Sequence, residues 1–132
     1  MEYEIWTDGA CIPNPGNGGW AWIRDDGVEA YGVEAYGFEI HTTSNRMEIL
    51  AVIEAITHLP ERARALIYSD SQYVVYTMNK NWNKKKNIDL WQRLDKAIIN
   101  KEIKFKWIRG HNGDLGNELA DELANKAIKE IS

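Results

Sequence analysis

Four acidic residues could do chemistry together, although they are far apart in the sequence: Asp8, Glu48, Asp70 and Asp121. A charged group that is buried without a partner costs several kcal/mol, and two charges ~4 Å apart repel by about 4 kcal/mol at an effective dielectric near 20. Several such pairs would rival the ~5–15 kcal/mol stability of a domain. If these side chains converge, the site must bind protons or divalent cations. A site made only of oxygen ligands suits Mg²⁺ or Mn²⁺.

Each of these acids also has a purely structural interpretation. Asp8 could form a bend with the glycine that follows it, and Asp70 could cap the helix that begins directly after it. Glu48 could complete a capping box with Asn45, and Asp121 could be a solvated acid on the last helix. For any one acid taken alone, the structural interpretation is the more common one. Only the four together favour a catalytic site.

The pattern of apolar residues predicts the elements that would position these acids. An antiparallel opening followed by crossover helices predicts an α/β fold, with a mixed sheet and helices on its faces. A right-handed crossover would make the first and fourth strands parallel, so Asp8 and Asp70 would lie at the edge where open sheets form their sites. We predict strands over 3–11, 20–24, within 28–40, 65–69 and 103–107, and helices over 45–59, 71–80, 89–99 and 119–131.

The length and composition predict one domain over residues 1–132. No apolar run approaches the ~18 residues of a membrane span, and the N-terminus is acidic, unlike a signal peptide. The single cysteine, Cys11, cannot form an intrachain disulfide. These features predict a cytoplasmic protein.

The charge is unevenly distributed along the chain. The net charge of −4 argues against a nucleic-acid partner, but residues 79–106 contain nine Lys and Arg against three acids. Such an asymmetry is a candidate binding surface for phosphates. A solvated lysine-rich surface is the alternative interpretation.

Six motifs, in the same order and across nearly the whole chain, resemble those of type 1 ribonuclease H. The resemblance implies a five-stranded mixed sheet in the order 3-2-1-4-5, with strands 1–3 antiparallel and helices on both faces. It also implies hydrolysis of the RNA strand of an RNA/DNA hybrid, leaving 5′-phosphate and 3′-hydroxyl ends. The motifs are Thr7–Cys11, Asn14–Gly16, Thr43–Glu48, Ser69–Val74, Asp89–Leu94, and Gly110–Gly113 together with Asn117–Asp121.

The resemblance also implies the catalytic residues. On the family pattern Asp8, Glu48, Asp70 and Asp121 hold two Mg²⁺ ions, for which Mn²⁺ is a substitute. Two such ions activate water and stabilise the leaving 3′ oxygen. His111 matches the family's mobile histidine, which moves a proton or helps the product to leave.

Further matches imply how the hybrid would be bound. A-form RNA exposes its 2′-hydroxyls in a wide, shallow minor groove, which suits short side chains that both donate and accept hydrogen bonds. One more residue matches a binder of a DNA-strand phosphate, and a tryptophan could stack on the DNA sugar-backbone. The groove readers are Asn14, Ser44, Asn45 and Gln72, the phosphate binder is Thr43, and the stacking residue is Trp82.

The chain departs from many bacterial members in one respect. They insert a basic helix and loop, the handle, after the helix that follows the third catalytic acid. Here the sequence runs from Asn81 through the lysine triplet Lys84–Lys86 directly to the helix that contains Asp89. The resemblance therefore implies a handle-less variant. We expect its hybrid binding to be weaker and strongly dependent on salt.

The sequence is best explained by a free-standing, monomeric, Mg²⁺-dependent ribonuclease H with no membrane association and no obligate protein partner. The alternative is a non-catalytic RNA/DNA hybrid-binding module of the same fold. The four intact acids argue against it, because a pure binder has no use for clustered anions beside phosphates. A nuclease or transposase-like enzyme that shares the fold is a third interpretation, but such enzymes lack the groove-reading set Asn14, Asn45 and Gln72.

Overall fold

One mixed β-sheet organises the protein, whose computed structural model describes residues 2–25, 33–80 and 84–131. Its strands are β1 (Glu2–Cys11), β2 (Gly16–Asp25), β3 (Val33–Thr42), β4 (Arg64–Ser69) and β5 (Glu102–Trp107), in the order β3-β2-β1-β4-β5. β1 and β3 are antiparallel to β2, whereas β4 is parallel to both β1 and β5. The predicted mixed sheet and its strand order are confirmed.

Four helices connect or follow the strands: α1 (Ser44–Thr57), α2 (Gln72–Lys80), α3 (Ile88–Ile98) and α4 (Leu115–Glu130). Polar side chains mark the residues at which α1 and α4 begin. Thr43 accepts a hydrogen bond from the backbone N–H of Arg46 at 3.2 Å, and Asp114 accepts one from Asn117 at 2.9 Å. Helix α4 therefore begins at Leu115, four residues before the predicted start, because its cap precedes the apolar pattern.

The helices lie on both faces of the sheet. Ile5 and Trp6 are neighbours on β1 and point to opposite faces, as alternation along a strand requires. Ile5 packs in the main core with residues of α1 and α3, including Trp91, which is only 2 % exposed. Trp6 packs in a second cluster with Ala120 of α4. The sheet thus separates two apolar layers.

β2 begins at Gly16, four residues before the predicted start at Trp20. Gly19 pairs with Ala10 of β1 and with Phe38 of β3. A Cβ at Gly19 would clash with the backbone of α4 at Ala124. Gly19 therefore allows α4 to pack closely on the strand and does not mark a turn.

The connection between α2 and α3 is short. The described part of this connection, residues 84–87, contains no helix, as a handle-less variant requires. Trp82, the predicted stacking residue, lies outside the described residues. None of the helices in the described ranges is both long and apolar enough to span a membrane.

Candidate active site

Three of the four predicted acids meet at the carboxyl ends of neighbouring strands β1 and β4. One carboxylate oxygen from each of Asp8, Glu48 and Asp70 lies within 4.8 Å of the others. Asp8 is only 4 % exposed, while Glu48 and Asp70 are half-buried. Residues from β1, α1 and the end of β4 therefore form one acidic cluster.

Gly9 explains how Glu48 reaches Asp8. A Cβ at Gly9 would clash with the backbone of Met47 and Glu48. Because glycine has no Cβ, the first turns of α1 pack directly on β1. The Asp-Gly pair is part of a continuous strand, so it serves as a point of close approach.

The structural interpretations of Asp70 and Glu48 as helix caps do not hold. Helix α2 is capped by Ser71, whose hydroxyl accepts a hydrogen bond from the N–H of Val74 at 3.2 Å. Helix α1 is capped by Thr43. Both carboxylates are therefore available to the site.

Two residues hold Asp70 in place. Its Oδ2 accepts a hydrogen bond from Nδ2 of Asn117 at 3.3 Å, and its backbone oxygen accepts one from Nε1 of Trp107 at 3.0 Å. Trp107 is the last residue of β5, and Asn117 lies in the first turn of α4. Side chains from β5 and α4 therefore fix the position of Asp70.

Asp121 lies at the margin of the cluster. It is a half-buried residue of α4, and its Oδ1 accepts a hydrogen bond from Nδ2 of Asn125 at 3.3 Å. Its side chain is also hydrogen-bonded to Asp8. Asp121 is not part of the group whose oxygens lie within 4.8 Å of one another.

Burial gives the cluster unusual acid–base properties. Desolvation raises the pKa of Asp8 to about 8, and the charge of Asp70 and the hydrogen bond with Asp121 add to the effect. Burial also raises the pKa of Glu48 well above its ordinary range. The charges of Asp8 and Asp70 add to it, while the N–H of Gly9 partly opposes it. The cluster must hold protons or bind cations near neutral pH.

The cluster fits a divalent metal ion. Oε1 of Glu48 is shielded from solvent and has no hydrogen-bond partner within the described residues. A buried acceptor without a partner costs about 1–3 kcal/mol, and a cation would satisfy it. All the available donors are carboxylate oxygens, which is the chemistry that Mg²⁺ and Mn²⁺ prefer.

His111 lies on the exposed loop between β5 and α4. Its φ of 54° is in the left-handed region, as is the φ of 82° at Gly113. Its ring makes no hydrogen bond to any residue that the structure describes, but its backbone N–H donates to Oδ1 of Asn117 at 3.4 Å. The loop also touches the cluster, since a Cβ at Gly110 would lie 2.7 Å from Oδ2 of Asp70.

The predicted substrate-binding residues lie at the starts of α1 and α2 and in the loop after β1. Asn14 and Ser44 bind each other: Nδ2 of Asn14 donates to Oγ of Ser44 at 2.8 Å, and the N–H of Ser44 donates to Oδ1 of Asn14 at 3.2 Å. Asn45 and Gln72 are exposed. Thr43 uses its hydroxyl to cap α1.

Sequence reasoning missed three residues that support the site: Trp107, Asn117 and Arg46. Arg46 forms a bidentate ion pair with Asp89, with N–O distances of 3.0 and 2.8 Å, and so ties α1 to α3. One signal was available for Asn117, because Asp114 stands three residues before it, as a helix cap would. Nothing in the pattern singles out Arg46 or Trp107.

Comparisons with known proteins agree with this geometry. The family model described as RNase H matches residues 1–129. The ribonuclease H of Bordetella avium is 42% identical over 98% of this chain and 92% of its own length. That of Hahella chejuensis is 46% identical over 96% and 93%. The Bordetella avium alignment spans 145 residues, more than the 132 of this chain, so that relative contains residues that this chain lacks.

Solved structures show the same fold. LC9-RNase H1, a type 1 RNase H with the type 2 active-site motif, has a TM-score of 0.83 and 27% identity, with 99% of this chain and 74% of that chain covered. LC11-RNase H1, solved in complex with an RNA/DNA hybrid, has a TM-score of 0.84 and 23% identity, with 98% of each chain covered. At that identity the second similarity concerns the fold alone.

Proposed function

This chain belongs to the ribonuclease H family, and from that membership we propose that it hydrolyses the RNA strand of RNA/DNA hybrids by a two-metal mechanism. We propose that the products carry 5′-phosphate and 3′-hydroxyl ends. The observation that carries the proposal is the convergence of Asp8, Glu48 and Asp70 within 4.8 Å. The raised pKa values of Asp8 and Glu48 and the unpaired Oε1 of Glu48 support a cation there.

In this proposal the four carboxylates bind the metal ions. Asp8, Glu48 and Asp70 hold the metal ions, and Asp121 completes the set from α4. When bound, two Mg²⁺ ions supply activation of the attacking water and stabilisation of the leaving 3′ oxygen. Mn²⁺ has the same ligand preference and can substitute. His111 lies on a loop that contacts Asp70 through Gly110, so it can exchange a proton at the margin of the site.

The hybrid would be recognised by shape. Asn14 and Ser44 already hold each other, so their remaining donors and acceptors are oriented before a substrate arrives. Asn45 and Gln72 offer exposed amides at two helix starts. Amides can bind both 2′-hydroxyls and base edges in a wide minor groove. Thr43 as a phosphate binder, a monomeric state and a cytoplasmic location remain predictions.

The test is cleavage of an end-labelled RNA/DNA hybrid in Mg²⁺, beside single-stranded RNA and duplex DNA. We expect cutting of the RNA strand of the hybrid alone. Asp70→Asn should abolish it, because the variant loses a metal-binding charge. Glu102→Gln is the matched control, since that exposed acid lies at the opposite end of the parallel strands and pairs with Arg64.

The products test the end chemistry. Fragments that retain the 5′ label should end in a 3′-hydroxyl and be extended by poly(A) polymerase. Binding of the hybrid without cutting, in Mg²⁺ and Mn²⁺ alike, would favour the non-catalytic hybrid-binding module instead.

A further inference from the structure

Asn117 is a buried polar residue between Asp70 and the loop that contains His111. Its side chain is only 2 % exposed and joins two parts of the site. Nδ2 donates to Oδ2 of Asp70 at 3.3 Å, and Oδ1 accepts from the N–H of His111 at 3.4 Å. The orientation of the amide is determined by these partners. The flipped amide would place an oxygen against the carboxylate and a donor against the N–H.

The backbone of Asn117 is fixed separately. Its N–H donates to Oδ1 of Asp114, the residue that caps α4, at 2.9 Å. The preceding residue, Gly116, lies so close to the ring of Trp6 that a Cβ would clash with it. The first turn of α4 is therefore held on the sheet without help from the Asn117 side chain, which is free to serve other groups.

The loop that contains His111 has few other attachments. Its left-handed residues, His111 and Gly113, are exposed, and nothing lies within 4 Å of the position of a Cβ at Gly113. Oδ1 of Asn117 is the acceptor for the backbone N–H of His111. Without this hydrogen bond the position of the loop relative to Asp70 would be less well fixed.

We propose that Asn117 is a positioning residue that holds the carboxylate of Asp70 and the His111 loop in a fixed relation. This inference rests on the proposed function, because Asp70 and His111 act on the scissile phosphate there. Of the four proposed metal-binding acids, the one to which Asn117 donates a hydrogen bond among the described residues is Asp70. Its side chain sets the distance between a metal-holding group and a proton-exchanging group from one buried point.

Two variants separate this role from a purely structural one. Asn117→Ala removes both side-chain bonds but keeps the cap, because Asp114 still accepts from the backbone N–H. Asp114→Ala removes the cap but keeps the Asn117 side chain. If Asn117 only stabilised the start of α4, the two variants would have the same effect on catalysis.

The experiment measures kcat and KM for hybrid cleavage together with hydrogen exchange of the His111 amide by NMR. For Asn117→Ala we expect kcat to fall roughly 10-fold or more with KM within about two-fold, since a small misplacement of catalytic groups is costly. The His111 amide should exchange about 10-fold faster or more. Asp114→Ala should leave both quantities within about three-fold of the wild type.

A third variant separates the two bonds. Asn117→Asp keeps an oxygen that can accept from the N–H of His111. It replaces the N–H donor to Asp70 by a carboxylate oxygen, which repels the carboxylate of Asp70. We expect the His111 amide to stay protected while kcat falls at least as far as in Asn117→Ala. Thr77→Ala is the control for the loss of a buried hydrogen bond elsewhere, since Thr77 is buried on α2 and its hydroxyl donates to the backbone oxygen of Tyr73.

The proposal is overturned if Asp114→Ala lowers kcat as much as Asn117→Ala does, or if the His111 amide exchanges equally in Asn117→Ala and the wild type. If Asn117→Ala does not fold, Asn117→Asp and Asp114→Ala decide between the two roles. A wild-type protein that fails to cut the hybrid contradicts the proposed function. The exchange measurement needs no substrate and still tests the role of Asn117.

Discussion

At the residue scale, the acidic cluster is costly to the protein when no metal ion is bound. Asp8 is buried in the sheet beside Glu48 and Asp70, and burial raises its pKa from 3.8 to about 8. The folded protein therefore binds a proton at Asp8 more tightly than the unfolded chain does. Buried acids of this kind lower the stability of the metal-free protein. Strongly shifted pKa values are typical of functional sites.

The sign of the resulting pH dependence follows from linkage. Between the unfolded pKa of 3.8 and the folded pKa of about 8, the folded state holds more protons at Asp8, so stability falls as pH rises. We expect the melting temperature in EDTA to fall from about pH 5 to about pH 8. Asp89, whose pKa is lowered to about 2, stays ionised in both states over this range and adds no slope.

Asp8→Asn provides the control for this measurement. It removes the group whose pKa is shifted, so the slope of melting temperature against pH should become markedly shallower. A wild-type melting temperature that stays level or increases over this range would show that Asp8 is ionised in the folded protein without metal.

At the scale of elements, the loop before α3 is tied to the start of α1. Arg46 of α1 binds Asp89 and donates to Oδ1 of Asn87 at 3.3 Å. Asn87 has a left-handed φ of 58° and donates to the hydroxyl of Tyr73 on α2 at 3.1 Å. This network attaches Asn87, the residue that follows the lysine triplet, to the start of α1.

The three lysines of the triplet differ in their surroundings. Lys84 is paired with Asp95 at 3.7 Å, and its ammonium lies 5.9 Å from the centre of the Trp91 ring. Lys85 and Lys86 are exposed. Lys84 therefore attaches the loop to α3, while Lys85 and Lys86 are available to phosphates.

This difference predicts how binding depends on salt. Each lysine that contacts a phosphate contributes roughly 0.9 to the slope of log affinity against log salt. In an Asp70→Asn background that prevents cutting, Lys85→Gln and Lys86→Gln should each make the slope for hybrid binding shallower. Lys84→Gln should leave it unchanged. Fluorescence polarisation of a labelled hybrid measures all three, and equal slopes for all three variants would contradict this division of roles.

The elements also show what could be predicted from the sequence. The sequence pattern predicted the nine helices and strands that the described residues contain and their order along the chain, largely because buried faces repeat with the period of a helix or a strand. The spacing did not show that the Gly16–Gly19 segment pairs in β2. Glycine is required at position 19 because α4 packs against the strand there, and this contact cannot be recognised from the local sequence. The spacing also gave no role to Asn117, because one of its partners, Asp70, is distant in the sequence and the other, His111, lies in a loop.

At the scale of the whole molecule, the site exists only when the sheet and its helices are assembled. Asp8 comes from β1, Glu48 from α1 and Asp121 from α4, while Asp70 directly follows β4. The unfolded chain has no comparable arrangement of carboxylates. Metal binding is therefore linked to global folding, and the metal should stabilise the native state by mass action.

This linkage predicts a concentration-dependent stabilisation by Mg²⁺. A ligand that binds only the native state adds about 2.7 kcal/mol at 100 times its dissociation constant, so the melting temperature should rise steadily as Mg²⁺ is titrated. Glu48→Gln should melt higher than the wild type in EDTA, because it removes an acid that must take up a proton or carry an unfavourable charge in the folded state, but its response to Mg²⁺ should be smaller. Glu102→Gln should respond like the wild type. An equal rise in Glu48→Gln and the wild type would show that the stabilising ions bind elsewhere on this acidic protein.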